Sequence, residues 1–161
     1  MSHKIILGLD PGLATTGFGL IKTDGSNHIL LDYGCIKTLP TTDNAIRLNQ
    51  IEKDLSSLIK EYKPDSIAIE TLFFNKNVKT GIKVAQARGV ILSTISKHGY
   101  IPHEYNPLQI KSSIAGHGKA TKQEIQKMVR YFLNINFIPK PDDSADALAI
   151  AICHSTMQRL A

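Results

Sequence analysis

Four acids in this 161-residue chain stand where a carboxylate can do chemistry. Asp10 ends the apolar run Ile5-Ile6-Leu7-Gly8-Leu9 and is followed by a Pro11-Gly12 turn. Glu70 ends a second run of the same design, Ser66-Ile67-Ala68-Ile69. Asp143 and Asp146 lie just ahead of the apolar stretch Ala147-Leu148-Ala149-Ile150-Ala151-Ile152, and on a helix their spacing puts both on one face, with Cβ atoms roughly 5–6 Å apart. Taken alone, that pair reads as complement to a helix N-terminus. The apolar stretch behind it changes the balance, because a helix so buried pins its first turn against its neighbours. Brought together, four carboxylates repel one another and require a cation. Oxygen ligands of this kind suit Mg²⁺ or Mn²⁺ completed by water and phosphate. Two such ions roughly 4 Å apart activate a water and stabilise the leaving oxygen of a phosphodiester. The expected chemistry is metal-assisted phosphodiester hydrolysis.

The elements must deliver those acids to one place. An apolar run closed by a turn signal is a strand buried on both faces of a sheet covered by helices. If the strands ending at Asp10 and Glu70 are parallel neighbours, the two acids emerge side by side at the carboxyl edge, where open α/β sheets bind ligands. Thr15–Thr23 and His28–Thr38, joined at Asp24-Gly25, extend the first strand into an antiparallel meander. A helix over Asn44–Tyr62, capped by Thr42 or Asp43 and closed by Pro64, crosses over to the strand ending at Glu70. A second helix, Val78–Lys97, carries two apolar faces: Val78, Ile82, Ala85 and Leu92 on one, Val84, Ile91 and Ile95 on the other. One packs on the sheet; the other is covered either by the C-terminal helix or by a second subunit. Tyr100–Tyr105 reads as a fifth strand, Asn106-Pro107 starts a short helix, Thr121 to Glu124 is a capping box, and Asp142–Leu160 is the last helix. The expectation is an α/β fold in one domain, residues 1–161: a five-stranded mixed sheet sandwiched between helices.

Composition narrows the partners. A 42% hydrophobic content and the absence of low-complexity sequence argue for a packed core, and a net charge of +5 suits a polyanionic partner. Cys35 and Cys153 match no zinc or redox spacing and read as buried thiols of a reducing compartment. No charged leader precedes the first strand, and no apolar run approaches the roughly 18 residues that span a bilayer. A cytoplasmic, non-membrane protein is expected. None of the six histidines has metal-ligand spacing, and His154 reads as a satisfied, partly buried residue.

With these residues in view, the chain resembles a known family. Leu7-Gly8-Leu9-Asp10-Pro11-Gly12 with Thr16-Gly17-Phe18-Gly19, then Ala68-Ile69-Glu70 followed by Phe73, then Gln86-Ala87-Arg88-Gly89, and finally Ser144 to Ala151 closely resemble the RuvC family of Holliday-junction resolvases, which have a ribonuclease H-like fold. The resemblance runs through essentially the whole chain in order. It implies that Asp10, Glu70, Asp143 and Asp146 are catalytic acids holding Mg²⁺, with Mn²⁺ substituting and two ions per subunit. Some members carry His at the place of Asp143. Asp142 is assigned to capping, since only Asp143 has the three-residue spacing to Asp146. The resemblance further implies that Phe73 helps unstack bases at a junction, and that Lys111 and Lys122 contact the scissile phosphate. Lys76, Lys79, Lys83 and Arg88 are candidates to line the DNA path, and Lys119 for a backbone contact. Phe74 is left to the core. A homodimer acting on four-way DNA junctions in recombination and repair, and docking with a branch-migration motor, completes what the resemblance implies.

Two other readings share part of the pattern. Another ribonuclease H-like nuclease, acting on structured RNA, would use the same acids. An actin-like ATP-binding fragment would also place Asp-x-Gly after a strand, as Asp10-Pro11-Gly12 does here, but such clamps need two domains.

Overall fold

The computed structural model describes residues 3–71 and 78–160. Five strands and five helices follow one another as β1 (Lys4–Asp10), β2 (Thr15–Thr23), β3 (His28–Lys37), α1 (Asn44–Tyr62), β4 (Ser66–Glu70), α2 (Val78–Lys97), β5 (His103–Tyr105), α3 (Pro107–Ala115), α4 (Lys122–Phe132) and α5 (Asp142–Leu160). The sheet order is β3-β2-β1-β4-β5. The first three strands form the antiparallel meander, while β1 runs parallel to β4 with Leu7 opposite Ile67 and Leu9 opposite Ile69. That register carries Asp10 and Glu70 off adjacent strands at the same edge.

Alternation of side chains along each strand divides the core in two. Leu7, Leu9, Leu20, Ile67 and Ile69 point to the layer of α1 and α2, where they meet Ile51, Leu55, Ile91 and Ile95. Ile6, Ile21 and Ala68 point the other way, to α3, α4 and α5, with Ile110, Ile125, Val129 and Leu148. The central strand β1 is therefore buried on both faces, as its continuous apolar run requires.

Helix α5 is the closest neighbour of the sheet, and glycines make that approach possible. A Cβ built on Gly8 would lie 2.1 Å from the Ala147 carbonyl oxygen, and one on Gly19 would lie 2.7 Å from the Leu148 backbone nitrogen. Backbone atoms of a packed helix cannot yield to such contacts. Residues Ala147 to Cys153 are consequently buried all round.

Local capping sets the other boundaries. The Asp43 carboxylate accepts from the Ala45 N–H to start α1, and Lys63, in the left-handed region at φ 45°, stops it just before Pro64. Reciprocal capping boxes, Asn106 with Gln109 and Thr121 with Glu124, open α3 and α4.

Two expectations are corrected and one of two open alternatives is excluded. Strand β5 begins at His103, not Tyr100: the Tyr100 N–H is used by the Ile95 carbonyl at the end of α2, Gly99 turns the chain at φ 84°, and Pro102 has no N–H for a ladder. Helix α5 lies on the opposite side of the sheet from α2, so it does not cover α2's second apolar face, and Val78 and Ile82 are exposed. Cys153 is buried as expected, but Cys35 is only partly so. Among the described residues no helix is long and apolar enough to cross a membrane.

Candidate active site

The end of β1, the end of β4 and the first turn of α5 meet at the carboxyl edge of the sheet. One carboxylate oxygen from each of Asp10, Asp143 and Asp146 lies within 4.8 Å of the other two. Glu70 stands beside Asp10 on the neighbouring strand; its charge raises Asp10, and it is itself raised by the charge of Asp146. A glycine holds α5 in place here as well: a Cβ on Gly17, which pairs with Asp10 across the ladder, would lie 2.0 Å from the Asp143 carbonyl oxygen. The turn after Asp10 is fixed by Thr16, whose buried hydroxyl donates to the Gly12 carbonyl at 2.7 Å.

Electrostatics show what these acids lack. Burial, followed by the charges of Glu70, Asp146 and Asp143, pushes Asp10 up to about 8, against the opposing pull of Lys122. Burial and then Asp146 raise Glu70, with Lys111 opposing. Burial also raises Asp146, although Lys122 partly offsets it. Asp10, Glu70 and Asp146 resist ionisation because they are buried and, at Asp10 and Glu70, because other carboxylates crowd them, and a bound cation offsets both effects. Three converging carboxylates, a fourth alongside and no softer ligand among them suit a hard divalent ion.

Two lysines border the acids. Lys111 on α3 and Lys122 on α4 line a cavity of about 230 Å³ together with Glu70 and Asp146. The Lys122 Nζ lies 3.5 Å from Asp146 Oδ2 and 3.3 Å from Asp142 Oδ2. Burial disfavours its charge, but the two aspartates outweigh that and raise its pKa.

Asp142 does not cap α5, contrary to expectation. Its Oδ1 accepts from Lys140 Nζ at 2.9 Å and from Gln126 Nε2 at 3.2 Å, so it anchors lysines and α4 beside the site. The hydrogen bonds to Lys140 and Lys122 hold its carboxyl below the usual range.

Arg88 is held by two partners within the protein. Its guanidinium is ion-paired with Glu104 on β5, and its Nε donates to the Glu70 backbone carbonyl at 3.4 Å. It therefore ties the end of β4 in place. Lys79 and Lys83 are exposed on the first turns of α2, and Lys119 is exposed in the loop between α3 and α4. Phe73, Phe74 and Lys76 lie outside the described residues.

His154 is fully buried rather than partly so, and its ring is satisfied on both sides, by the Tyr105 hydroxyl at 2.7 Å and Ser66 Oγ at 3.0 Å. Burial, with His103 nearby, lowers it to about 4. It links β4, β5 and α5 as a neutral ring.

Comparison with known proteins settles the family. The family model for "Crossover junction endodeoxyribonuclease RuvC" matches residues 6–154. The chain belongs to the RuvC family. A RuvC of Halothermothrix orenii is 51% identical over 156 residues, covering 97% of this chain and 94% of the relative. Another, from Alkaliphilus oremlandii, is 50% identical over 151 residues, 94% of this chain and 92% of its own. The structure of Thermus thermophilus RuvC in complex with a Holliday junction substrate superposes with a TM-score of 0.93 at 32% identity, covering 98% of this chain and 96% of that one. The RuvC match displaces the actin-like reading of the Asp10-Pro11-Gly12 turn.

The site contains residues that sequence reasoning missed. Glu104, Lys140 and Gln126 hold Arg88 and Asp142, and only the sheet order and the packing of α4 on α5 bring them there. Gly17 appeared in the sequence only as part of a motif; its close approach to Asp143 is a tertiary fact.

Proposed function

We propose that this chain is a divalent-metal-dependent endodeoxyribonuclease that resolves four-way DNA junctions, with residues 1–161 forming one nuclease domain. The observation that carries the reading is the convergence of Asp10, Asp143 and Asp146, with Glu70 alongside, in a chain belonging to the RuvC family. These four acids are the proposed catalytic residues and would hold Mg²⁺, or Mn²⁺ in its place, at two ions per subunit. Bound there, such ions lower the pKa of an attacking water and stabilise charge on the scissile phosphate and its leaving oxygen. The chain's own residues do the rest. Asp10 and Glu70, fixed on rigid strand ends, set one wall of the site; Asp143 and Asp146, fixed by the burial of α5, set the other. Lys111 and Lys122 bind the scissile phosphodiester and place it against the acids. Lys122 also holds Asp146, and so orients it.

Lys76, Lys79, Lys83 and Lys119 are proposed contacts to the phosphate backbone, and Phe73 is proposed to stack on unpaired bases near the cut. The protein acts as a homodimer, which matches a two-fold substrate with one site per strand of like polarity. The exposed apolar side chain of Val78, at the start of α2, supports that end of the helix as the subunit contact. Docking with a branch-migration motor, and a cytoplasmic location, belong to the same reading.

Substrate competition tests it. A labelled mobile four-way junction is expected to be nicked in Mg²⁺ and protected by unlabelled junction, but not by linear duplex or hairpin RNA at equal concentration. Efficient protection by the RNA, with RNA cleavage, would move the assignment to an RNA nuclease.

A further inference from the structure

Lys79 and Lys83 border a second basic cavity, distinct from that of Lys111 and Lys122, whose third cation, Arg47, has been given no role so far. It measures about 460 Å³ and lies between the N-terminal ends of α1 and α2, its lining including Arg47, Lys79 and Lys83 with Asn44, Gln86 and the apolar Ile82. Arg47 is only 7% exposed. Among the described residues none of its three cations is ion-paired. The nearby Asp43 carboxylate is occupied in capping the Ala45 N–H. A guanidinium with a buried stem, facing a cavity and without an ion-pair partner there, is a ready partner for an anion that enters it.

The place of the cavity in the fold identifies the anion. Strand β3 ends at Lys37, opposite Thr15, at the same sheet edge where β1 ends at Asp10 opposite Gly17. Both α1 and α2 start from that edge, so the cavity flanks the acids on the α1 and α2 side. The pocket of Lys111 and Lys122 flanks them on the α3, α4 and α5 side. A nucleic-acid strand laid along the edge, its cut phosphate at the acids, passes both. Arg47 is also braced toward the site. Its Nε donates to Thr38 Oγ1 at 2.9 Å, and that hydroxyl donates in turn to the Leu13 carbonyl at 2.6 Å, in the loop after the Asp10 turn.

We infer that Arg47, with Lys79 and Lys83, forms a binding subsite for a backbone phosphodiester of the DNA substrate, several nucleotides from the cut. The inference rests on the junction-nuclease reading and adds Arg47, a residue of α1, to its DNA contacts. Arg47 supplies a planar fork that matches phosphate oxygens, and the two lysines supply charge.

The test is the salt dependence of junction binding, measured in Mg²⁺ in an Asp146→Asn background so that no strand is cut. Each lost phosphate contact lowers the slope of log K against log salt by about 0.9. Arg47→Met is expected to lower the slope by about that amount and Thr38→Val to leave it unchanged. An unchanged slope in Arg47→Met, or an equal loss in Thr38→Val, would reduce Arg47 to a structural brace and overturn the subsite. Should Arg47→Met fail to fold, Asn44→Asp decides: a carboxylate in the cavity is expected to weaken junction binding by roughly tenfold or more while the protein stays folded. Unchanged binding in that variant would overturn the subsite too. Inorganic phosphate is the control for a free-anion pocket. If it raises the melting temperature of the parent but not of Arg47→Met, while the junction slope is the same in both, the pocket serves a free anion and the proposal fails. Loss of junction binding by the parent itself would instead bring down the nuclease reading.

Discussion

At the scale of the residue, Gly17 shows how little room the site leaves. Its missing side chain lets the Asp143 backbone close on β2, where any Cβ would meet the carbonyl oxygen at 2.0 Å. Gly17→Ala is therefore expected to push the first turn of α5 away from Asp10. The expected result is a loss of about 1–3 kcal/mol in stability by chemical denaturation. Junction cleavage should fall by at least the roughly 10–100-fold that follows loss of a residue supporting a metal ligand. Wild-type activity in a folded Gly17→Ala protein would show that Asp143 does not need its present position. The acids themselves were legible in the sequence because each ends an apolar run or opens one, and a charge in such a setting has few structural uses. Asp142 was misread, since capping and ion pairing look alike when only neighbours in the chain are visible. Its partners Lys140, Gln126 and Lys122 appear only when α4 packs on α5.

At the scale of the element, boundaries written by local chemistry were legible and those written by packing were not. The caps of α1, α3 and α4 join side chains to backbone groups within a few residues, so Asp43, Asn106 and Thr121 announce them. The short β5 was not legible, because the end of α2 reaches into Tyr100 through a hydrogen bond to Ile95. Nor was the bond between Arg88 and Glu104, which depends on β5 lying next to β4. That ion pair is expected to position Glu70 through its backbone carbonyl. Glu104→Gln should lower cleavage by about 10–100-fold while leaving junction affinity within about twofold. A loss of affinity equal to the loss of rate would place Arg88 on the DNA instead. The exposed N-terminal part of α2 makes a separate prediction. Val78→Glu puts a charge on the proposed subunit face and is expected to shift sedimentation toward monomer and to replace paired nicks by single ones. A dimer that survives the substitution would locate the interface elsewhere.

At the scale of the whole molecule, the fold concentrates negative charge at one edge of a protein that is otherwise basic. That arrangement sets a pH dependence whose sign follows from Asp10. Its carboxyl ionises near 8 when folded and near its ordinary 3.8 when unfolded. Between those values the folded state keeps a proton that the unfolded chain has lost, so stability without metal falls as pH rises toward 8. The buried His154 acts in the opposite sense, since its folded pKa is lowered, and its effect is confined to pH below its ordinary 6.5. Between pH 7 and 8.5 the Asp10 effect stands alone of the two. In EDTA the melting temperature is expected to drop across that interval. Mg²⁺ should restore more stability at pH 8.5 than at pH 7, up to about 2.7 kcal/mol at a hundredfold excess over its Kd. Asp10→Asn should abolish both effects. A melting temperature in EDTA that rises from pH 7 to 8.5 would contradict the cluster's shortage of positive charge.

If the four converging acids serve metal-dependent cutting and not the binding of DNA, losing one of them separates the two activities. The most direct measurement scores binding and nicking of one mobile four-way junction in Mg²⁺, side by side, for wild type and Asp146→Asn. Wild type is expected to make paired nicks and Asp146→Asn to lose them, by more than the roughly 10–100-fold expected for a residue outside the metal's ligand set, with junction affinity retained. Cleavage by Asp146→Asn at the wild-type rate, or an intact junction with both proteins, would contradict that role for the acids.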